Sequence, residues 1–208
     1  MSNILESLKW RYAVKTYDQS KKLDEHILET LKECFRLSPS SYGLQPWHVI
    51  VLSAEEDKKR IAGHCYGQKQ PLGASHIFVL CADYRDIKTR ISNHIKLSEE
   101  KRNLKKNSLA DYRAFMEKTL LNFSEERLSE WAKRQVYLAC GNLLTCAAQL
   151  GVDATPMEGF DPKAIDEEFS LNQKGLESVL IVPLGYRSES DGMALKEKVR
   201  FPIGDIFT

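Results

Sequence analysis

Two pairs of basic residues have the residue types and spacing of an anion-binding site. Arg11 and Lys15 are four positions apart in WRYAVKTYD, and Lys198 and Arg200 are two apart in KEKVRFP. If KEKVRFP is extended, both of its cations lie on one side. A guanidinium can offer paired donors to a phosphate, and an ammonium offers a point charge. With 30 Lys and Arg in the chain, exposure to solvent is the commoner role, so spacing alone does not decide.

The stretch SPSSYGLQPWHVIV, residues 38–51, carries more polar chemistry than a connector needs. The hydroxyls of Ser40 and Ser41 could bind the polar edge of a ligand, and Gly43 permits unusual backbone angles. The same residue types also cap helix ends and turn the chain, which is their commoner use. Trp47 and His48, at the start of a predicted strand, are commonest as core and edge residues.

Glu158 and Gly159 follow an apolar stretch that ends in Pro156-Met157. A glycine at this point lets a ligand approach the backbone closely, and its N–H can donate to an acceptor. A simple strand-to-loop turn with an exposed acid explains the pair equally well.

Hydrophobic periodicity predicts the elements that must position these residues. Helices are predicted at about 2–11, 24–37, 125–150 and 161–169, with further helix within 85–122, and strands are predicted at 45–53, 75–83, 151–157 and 178–186. Ser124 is a candidate cap of the long helix, and Gly151 lies just beyond its end. Ser53 and Glu56 have the spacing of a capping box, with Gly63 placed to stop that helix.

Helices and strands are mixed without regular β-α-β alternation. This pattern predicts an α+β layered fold rather than a doubly wound one. At 208 residues, without a repeat or an evident linker, the chain is expected to form one domain over 1–208.

Composition excludes several classes of function. A formal net charge of +1 gives no basic surplus for nucleic acid or an anionic membrane. No apolar stretch approaches the roughly 20 residues of a membrane span, and no secretory signal is visible, so we expect a cytosolic protein.

The five cysteines form no C-x-x-C pair, and four of them lie in apolar runs, which predicts buried, non-catalytic thiols at Cys34, Cys81, Cys140 and Cys146. The five histidines lack metal-ligand spacing, and no G-x-G fingerprint occurs.

Together these segments follow the order and context of one family. The chain resembles the FMN-dependent nitroreductases, and is most similar to the oxygen-insensitive NAD(P)H nitroreductase and dihydropteridine reductase group. The matching stretches are RYAVKTYD, SPSSYGLQPWHVIV, LGASHIFVLCA, WAKRQVYLACGNLLTCAAQLGVDATPMEGFD, SVLIVPLGY and KEKVRFP, between about residues 4 and 202.

The resemblance implies a central, mostly antiparallel sheet flanked by helices, in an intertwined homodimer with FMN at the subunit interface. It assigns Arg11, Lys198 and Arg200 to the phosphate, and it places Tyr12, Ala13 and Lys15 along the flavin. Lys15 would lie near the ring edge where negative charge develops on reduction.

The remaining assignments also come from the resemblance. Pro39, Ser40, Ser41 and Gly43 would cover the flavin of the other subunit, with Gln135 nearby. Glu158 and Gly159 would lie beside the reactive N5 atom, and Tyr112 or Phe115 would shape substrate access. No side chain is assigned as a catalytic acid or base, because FMN carries the chemistry.

The implied activity is ping-pong hydride transfer from NAD(P)H, through FMN, to a nitroaromatic, quinone or pterin-like acceptor. Two alternatives share the sequence features. One is a non-catalytic carrier or sensor of FMN, and the other is a structural module without a cofactor.

Three positions depart from the family pattern. Ala13 replaces a common serine, Gly43 stands where asparagine is frequent, and GQKQP at 67–71 replaces an Asn-x-x-Lys arrangement at the flavin edge. Gln70, with Gln68 as the other candidate, would then supply an amide in place of a cation.

We expect this last departure to lower the flavin reduction potential. A neutral amide stabilises developing negative charge less than an ammonium does. A redox titration measures the potential directly, and a value equal to or above that of lysine-bearing relatives would contradict the expectation.

Overall fold

A four-stranded antiparallel sheet forms the centre of the computed structural model, which describes residues 4–208. Its strands are β1 (Trp47–Leu52), β2 (His76–Asp83), β3 (Asp153–Ala154) and β4 (Leu176–Gly185). They pair in the order β1-β2-β4-β3, and every pairing is antiparallel. The third strand is much shorter than the predicted 151–157, although Met157 forms a further bridge to Ile181.

Eight α-helices surround the sheet in the described residues. They are α1 (Ile4–Trp10), α2 (Glu25–Arg36), α3 (Glu55–Gly63), α4 (Gln70–Gly73), α5 (Ile87–Lys101), α6 (Ala110–Leu120), α7 (Glu125–Gln149) and α8 (Pro162–Glu168). Residues 2 and 3 of the predicted first helix lie outside the described residues.

The two faces of the sheet are covered by different helices. Phe78 and Leu80 of β2 face a core that includes side chains from α2, α5, α6 and α7. Ile77 and Val79 alternate with them and face a smaller core with side chains from α3 and α8. The predicted α+β layered fold with an antiparallel sheet is therefore confirmed, because a strand buried on both faces requires helices on both sides.

The capping predictions had mixed outcomes. Ser124 caps α7, since its hydroxyl accepts a hydrogen bond from the Arg127 N–H at 3.2 Å, and Gly151 follows the helix with φ of 69°. The predicted capping box at Ser53 is wrong, because Ala54 occupies the N-cap of α3 and offers no side-chain acceptor. The helix does end at Gly63, as predicted, and His64 is its C-cap.

A buried ion pair joins the chain that follows β4 to β3. Arg187 donates through Nη2 to Asp153 Oδ1 at 2.6 Å and through its backbone N–H to Oδ2 at 2.8 Å. The Asp153 side chain is only 2% exposed. The guanidinium also lies 3.9 Å from the Trp10 ring centre and 4.5 Å from that of Tyr12. The buried pair therefore also fixes the chain that follows α1.

The surface of the single chain carries two apolar groups. Ile4, Leu5, Leu8 and Trp10 are exposed on α1, and the C-terminal residues 195–207 expose a second set, Leu195, Val199, Phe201, Ile203, Ile206 and Phe207. Among residues 4–208, no helix is long and apolar enough to cross a membrane. The expected cytosolic location stays a prediction.

Candidate functional site

Three cations predicted to bind phosphate line one cavity. Arg11, Lys198 and Arg200 surround a space of 320 Å³, together with Tyr12 and Ala13. Burial lowers the pKa of Lys198, and the charges of Arg11 and Arg200 lower it further. Burial likewise lowers the pKa of Arg11, followed by the charge of Arg200. The three cations therefore repel one another, and an anion bound between them would relieve that repulsion.

Lys198 fixes the C-terminal chain against the end of α1. Its ammonium donates to the carbonyl of Leu8 at 2.6 Å and also to the carbonyl of Arg11. A cation at a helix C-terminus satisfies carbonyls that have no partner within the helix. This contact brings the two predicted pairs of basic residues together.

Asp191 holds the backbone on the other side of the cavity. Its carboxylate accepts hydrogen bonds from the N–H groups of Lys15 at 2.7 Å, Thr16 at 3.0 Å and Met193 at 3.0 Å. Burial alone would raise the pKa of Asp191, but these backbone donors outweigh it and hold the pKa below its usual value. The Lys15 side chain is exposed, so only its backbone is fixed.

A second cavity, of 420 Å³, lies against the middle of α7. Tyr137, Cys140 and Gly141 line it from the helix, and Pro156 and Glu158 line it from the strand-to-loop segment. The positive charge of Arg11 lowers the pKa of Cys140, although burial raises that pKa overall to about 12. Arg11 therefore lies near both cavities, and one ligand could place a charged end among the cations and a flat end against α7.

Gly141 leaves open space on this face of α7. A Cβ added there would meet no atom within 4 Å. Glycine inside a helix costs roughly 1 kcal/mol relative to alanine. Nothing in the described chain packs on this exposed glycine, so the gap fits a ligand or partner that approaches the helix backbone.

Glu158 and Gly159 are held by two side chains. The Tyr137 hydroxyl donates to Glu158 Oε1 at 2.7 Å, and the Gln68 amide donates to the Gly159 carbonyl at 2.7 Å. A Cβ at residue 159 would come within 2.3 Å of the Gln68 amide nitrogen, so a larger residue there would have to displace that side chain. Gln70 is buried at the first position of α4. Of the two candidate glutamines, Gln68 is the one that contacts Gly159.

The predicted serine loop, residues 38–46, is fixed by polar contacts to its neighbours. The Ser41 N–H donates to Gln135 Oε1 of α7 at 2.9 Å, and Arg90 donates to the carbonyl of Gln45 at 2.8 Å. Tyr42 and Gln45 adopt left-handed φ angles of 60° and 48°, as does Gly43 at 69°. Such angles are costly for residues with a Cβ, so the surrounding contacts must hold the loop in this shape.

The two residues predicted to shape substrate access lie on α6. Tyr112 and Phe115 are both exposed, and the Phe115 ring lies edge-on to Tyr42 with 6.2 Å between ring centres. Phe115 is therefore next to the serine loop. Among residues 4–208, the Tyr112 ring makes no aromatic contact with the loop.

Within one chain, the predicted site residues form two separate groups. Cys140 faces the cavity near Arg11, whereas Gln135, five residues earlier, holds the serine loop that includes Pro39 and Ser40. At about 100° per residue, these two positions are roughly 140° apart around α7. One face of α7 thus lies near the cation cavity, and a different face contacts the serine loop.

Sequence comparison decides the family. Residues 8–186 match the nitroreductase family. The chain belongs to that family. It is 34% identical to the oxygen-insensitive NAD(P)H nitroreductase of Enterobacter cloacae, with 95% of each chain covered. It is also 34% identical to the enzyme of that name from Salmonella typhimurium, again with 95% of each chain covered.

A solved structure agrees with this assignment at the level of fold. A protein from Exiguobacterium sibiricum, assigned as a nitroreductase and determined in complex with FMN, superimposes with a TM-score of 0.85 at 23% identity, covering 99% of this chain and 96% of that chain. The predicted family is confirmed, and this nitroreductase-family chain is an oxidoreductase. The roles of its individual site residues stay predictions.

The thiols of this nitroreductase-family protein differ in burial. Cys65, Cys81 and Cys140 are buried, whereas Cys34 and Cys146 are half-buried rather than buried as predicted. Burial raises the pKa of Cys81 to about 12 and that of Cys65 to about 11. These thiols stay protonated and are poor nucleophiles. Within residues 4–208, no group of three or more His, Cys, Asp or Glu could hold a metal ion.

Sequence reasoning missed several residues of the site. Asp191 and Arg187 act through contacts with residues more than 30 positions away, and no local pattern indicates such partners. Gly141 had a usable signal, because a glycine within a long apolar helix is unfavourable unless something approaches it closely. Tyr137 lies four residues before Gly141, on the same side of that helix.

We predict that Asp191→Asn makes stability less dependent on pH in acid. The folded-state pKa of Asp191 is depressed, so its contribution is present above the unfolded value of about 3.9 and is lost as pH falls through the folded value. The asparagine side chain has an NH2 group in place of one carboxylate oxygen, so it cannot accept hydrogen bonds at both oxygen positions of Asp191. The variant should therefore be less stable near neutral pH. The difference should shrink as pH falls below about 4.

Urea unfolding of both proteins between neutral and acid pH measures this difference. A stability gap that stays constant down to the acid limit would contradict the assignment of the ionised carboxylate.

Proposed function

We propose that this protein is an FMN-dependent NAD(P)H oxidoreductase that reduces nitroaromatics, quinones or pterin-like acceptors by two-electron, ping-pong transfer. The observation that carries the proposal is the cluster of Arg11, Lys198 and Arg200 around one cavity, where burial and the neighbouring positive charges lower the pKa values of Arg11 and Lys198. Such a cluster suits a phosphate, since each cation gains a charge-assisted hydrogen bond.

The residues present fit FMN in three further respects. The Tyr12 hydroxyl is buried and has no hydrogen-bond partner within residues 4–208. The face of α7 at Gly141 has space for a flat ring. The Gly159 N–H donates to no acceptor among the described backbone and side-chain groups, so it is available to a ring nitrogen.

When bound, FMN would supply the redox chemistry by accepting a hydride from NAD(P)H and delivering it to the oxidant. The chain would hold the phosphate with its three cations and support the ring with Pro156, Cys140 and Gly141. Lys15 would place a positive charge near the ring, on a backbone that Asp191 fixes. Gln68 would keep the Gly159 peptide in place.

We also propose that two copies form an intertwined homodimer. The exposed apolar side chains of α1 and of residues 195–207 form surfaces that a monomer seldom leaves in water. The cation side and the serine loop lie on different faces of α7, so a second copy could supply the loop that Pro39, Ser40, Ser41 and Gly43 form. This arrangement would complete each FMN site with both chains.

An absorbance spectrum of the pure protein, repeated anaerobically after addition of NADH or NADPH, tests the proposal. We expect flavin bands that bleach, followed by steady NAD(P)H consumption when a quinone is added. Bands that persist would favour the carrier or sensor. A colourless protein that cannot be reconstituted with FMN would overturn FMN binding altogether.

Replacing both Lys198 and Arg200 by alanine should weaken FMN binding at least about a hundredfold, because hydrogen bonds between charged groups are each worth about 1.5–3 kcal/mol. Lys163→Ala, at an exposed lysine of α8, is the control. Fluorescence titration of apoprotein with FMN measures the affinity. Unchanged retention in the double variant would remove both residues from the phosphate site.

Gly141→Leu should lower FMN affinity by about five- to 150-fold, because overpacking a close contact costs about 1–3 kcal/mol. Leucine favours helix, so the apoprotein should unfold no more easily than the parent. Gly63→Leu is the matched control, since it is also an exposed helical glycine with open space at its Cβ. Equal FMN affinity in the two variants would show that the ring does not approach Gly141.

A further inference from the structure

A cluster of positive charge lies between α5 and α6. We call residues 101–106, KRNLKK, the basic turn; they include four cations and no acid. Lys101, Arg102, Lys105 and Lys106 are all exposed. None of the ion pairs formed within residues 4–208 involves them. Because the whole chain has a net charge of only +1, the cluster is local and not part of a general basic surplus.

The backbone of the basic turn is ordered by hydrogen bonds. The Leu104 N–H donates to the Glu99 carbonyl at 2.9 Å, and the Ser108 N–H donates to the Lys105 carbonyl at 3.0 Å. Asn103 and Asn107 adopt left-handed φ angles of 52° and 65°, which asparagine tolerates better than most residues. The cations therefore project from a defined turn.

A cavity of 580 Å³ lies against the basic turn. Lys96, Lys106 and Arg113 line it, and Asn107 and Ser92 contribute neutral polar groups. The acids Glu99 and Glu100 also line it, but Glu99 Oε1 already accepts from the Leu109 N–H at 3.3 Å. The space is large enough for part of a nucleotide, and it is separate from the cation cavity and from the cavity beside α7.

Two contacts connect the basic turn to the serine loop. On one side, α5 leads from His94 to Arg102, whose charge adds to burial in lowering the pKa of the His94 imidazole. The same imidazole is 3.2 Å from the position of a Cβ on Gly43. On the other side, α6 leads from the turn to Phe115, whose ring contacts Tyr42. A molecule that leaves the flavin past the serine loop would meet the basic turn.

We propose that the basic turn binds the 2′-phosphate of NADPH, so that the enzyme uses NADPH in preference to NADH. This inference rests on the proposed function, because it places the nicotinamide at the flavin. The two donors differ only in that phosphate, which carries a charge of about −1.5 to −2 at pH 7. NADH has a neutral hydroxyl there, which gains little from the cations.

The size and salt dependence of the preference follow from the exposure of these cations. Exposed ion pairs are individually weak, so two or three together should give a preference of only about five- to tenfold. In about 1 M salt, where the Debye length is about 3 Å, most of the preference for NADPH over NADH should disappear.

The first experiment measures binding without using the flavin. Isothermal titration calorimetry compares adenosine 2′,5′-bisphosphate with 5′-AMP on the purified protein and on Lys105→Gln/Lys106→Gln. The control variant is Lys59→Gln/Lys163→Gln, which removes two exposed lysines from α3 and α8. We expect tighter binding of the bisphosphate to the parent and control proteins. Loss of that difference should occur only in the basic-turn variant, and equal binding of both probes to the parent would overturn the inference.

The second experiment compares kcat/KM for NADPH and NADH with a quinone acceptor. The basic-turn variant should lose about five- to tenfold for NADPH and keep its FMN content and its rate with NADH. An unchanged ratio would overturn the inference while bleaching by NADH still supports the proposed function. A protein that binds the bisphosphate selectively but never turns over would retain the phosphate site and overturn the proposed activity.

Discussion

The buried carboxylate of Asp153 is the constraint on which the arrangement of the site depends. A buried charge without a partner costs several kcal/mol, which is a large part of the stability of a domain. Arg187 therefore has to meet Asp153, and this fixes the chain where it leaves β4. The same guanidinium packs on Trp10 and Tyr12, so one electrostatic requirement also fixes the chain after α1.

The cation cavity follows from that arrangement. The N-terminal segment beside this cavity contributes few side chains to the core, among them Val14 and Tyr17. Polar contacts supply the rest of the order, through the Asp191 carboxylate and the Lys198 ammonium. Segments held mainly by such contacts open more easily than the sheet core. The cation cavity is thus built from two parts of the chain that depend on each other.

The sequence predicted the elements well where a local pattern was strong. The long helix α7, its Ser124 cap and the buried strands β2 and β4 all follow from periodicity and capping chemistry. The predicted N-cap of α3 was wrong, because the spacing of a serine and a glutamate does not show at which residue the helix begins. The third strand was overestimated, since an apolar stretch does not show how much of it finds a partner.

The candidate site was predictable only through motif resemblance. Arg11 and Lys198 are separated by most of the chain, and their spacing within each segment did not distinguish a ligand site from solvent exposure. Asp191 was beyond reach because its partners are backbone N–H groups, which every sequence contains. Gln68 could be chosen over Gln70 as the partner of Gly159 only once the distance to its carbonyl was known.

The left-handed residues of the serine loop have a consequence for molecular recognition. Tyr42 and Gln45 keep costly backbone angles because Gln135 and Arg90 hold the loop from both sides. The serine loop is therefore ordered before any ligand arrives, so a molecule that bound against it, as proposed, would lose no affinity to loop ordering. A preformed surface of this kind selects by thickness and flatness rather than by closing around a particular outline. If the proposed flavin site forms here, planar molecules of quite different chemistry could bind against the same surface.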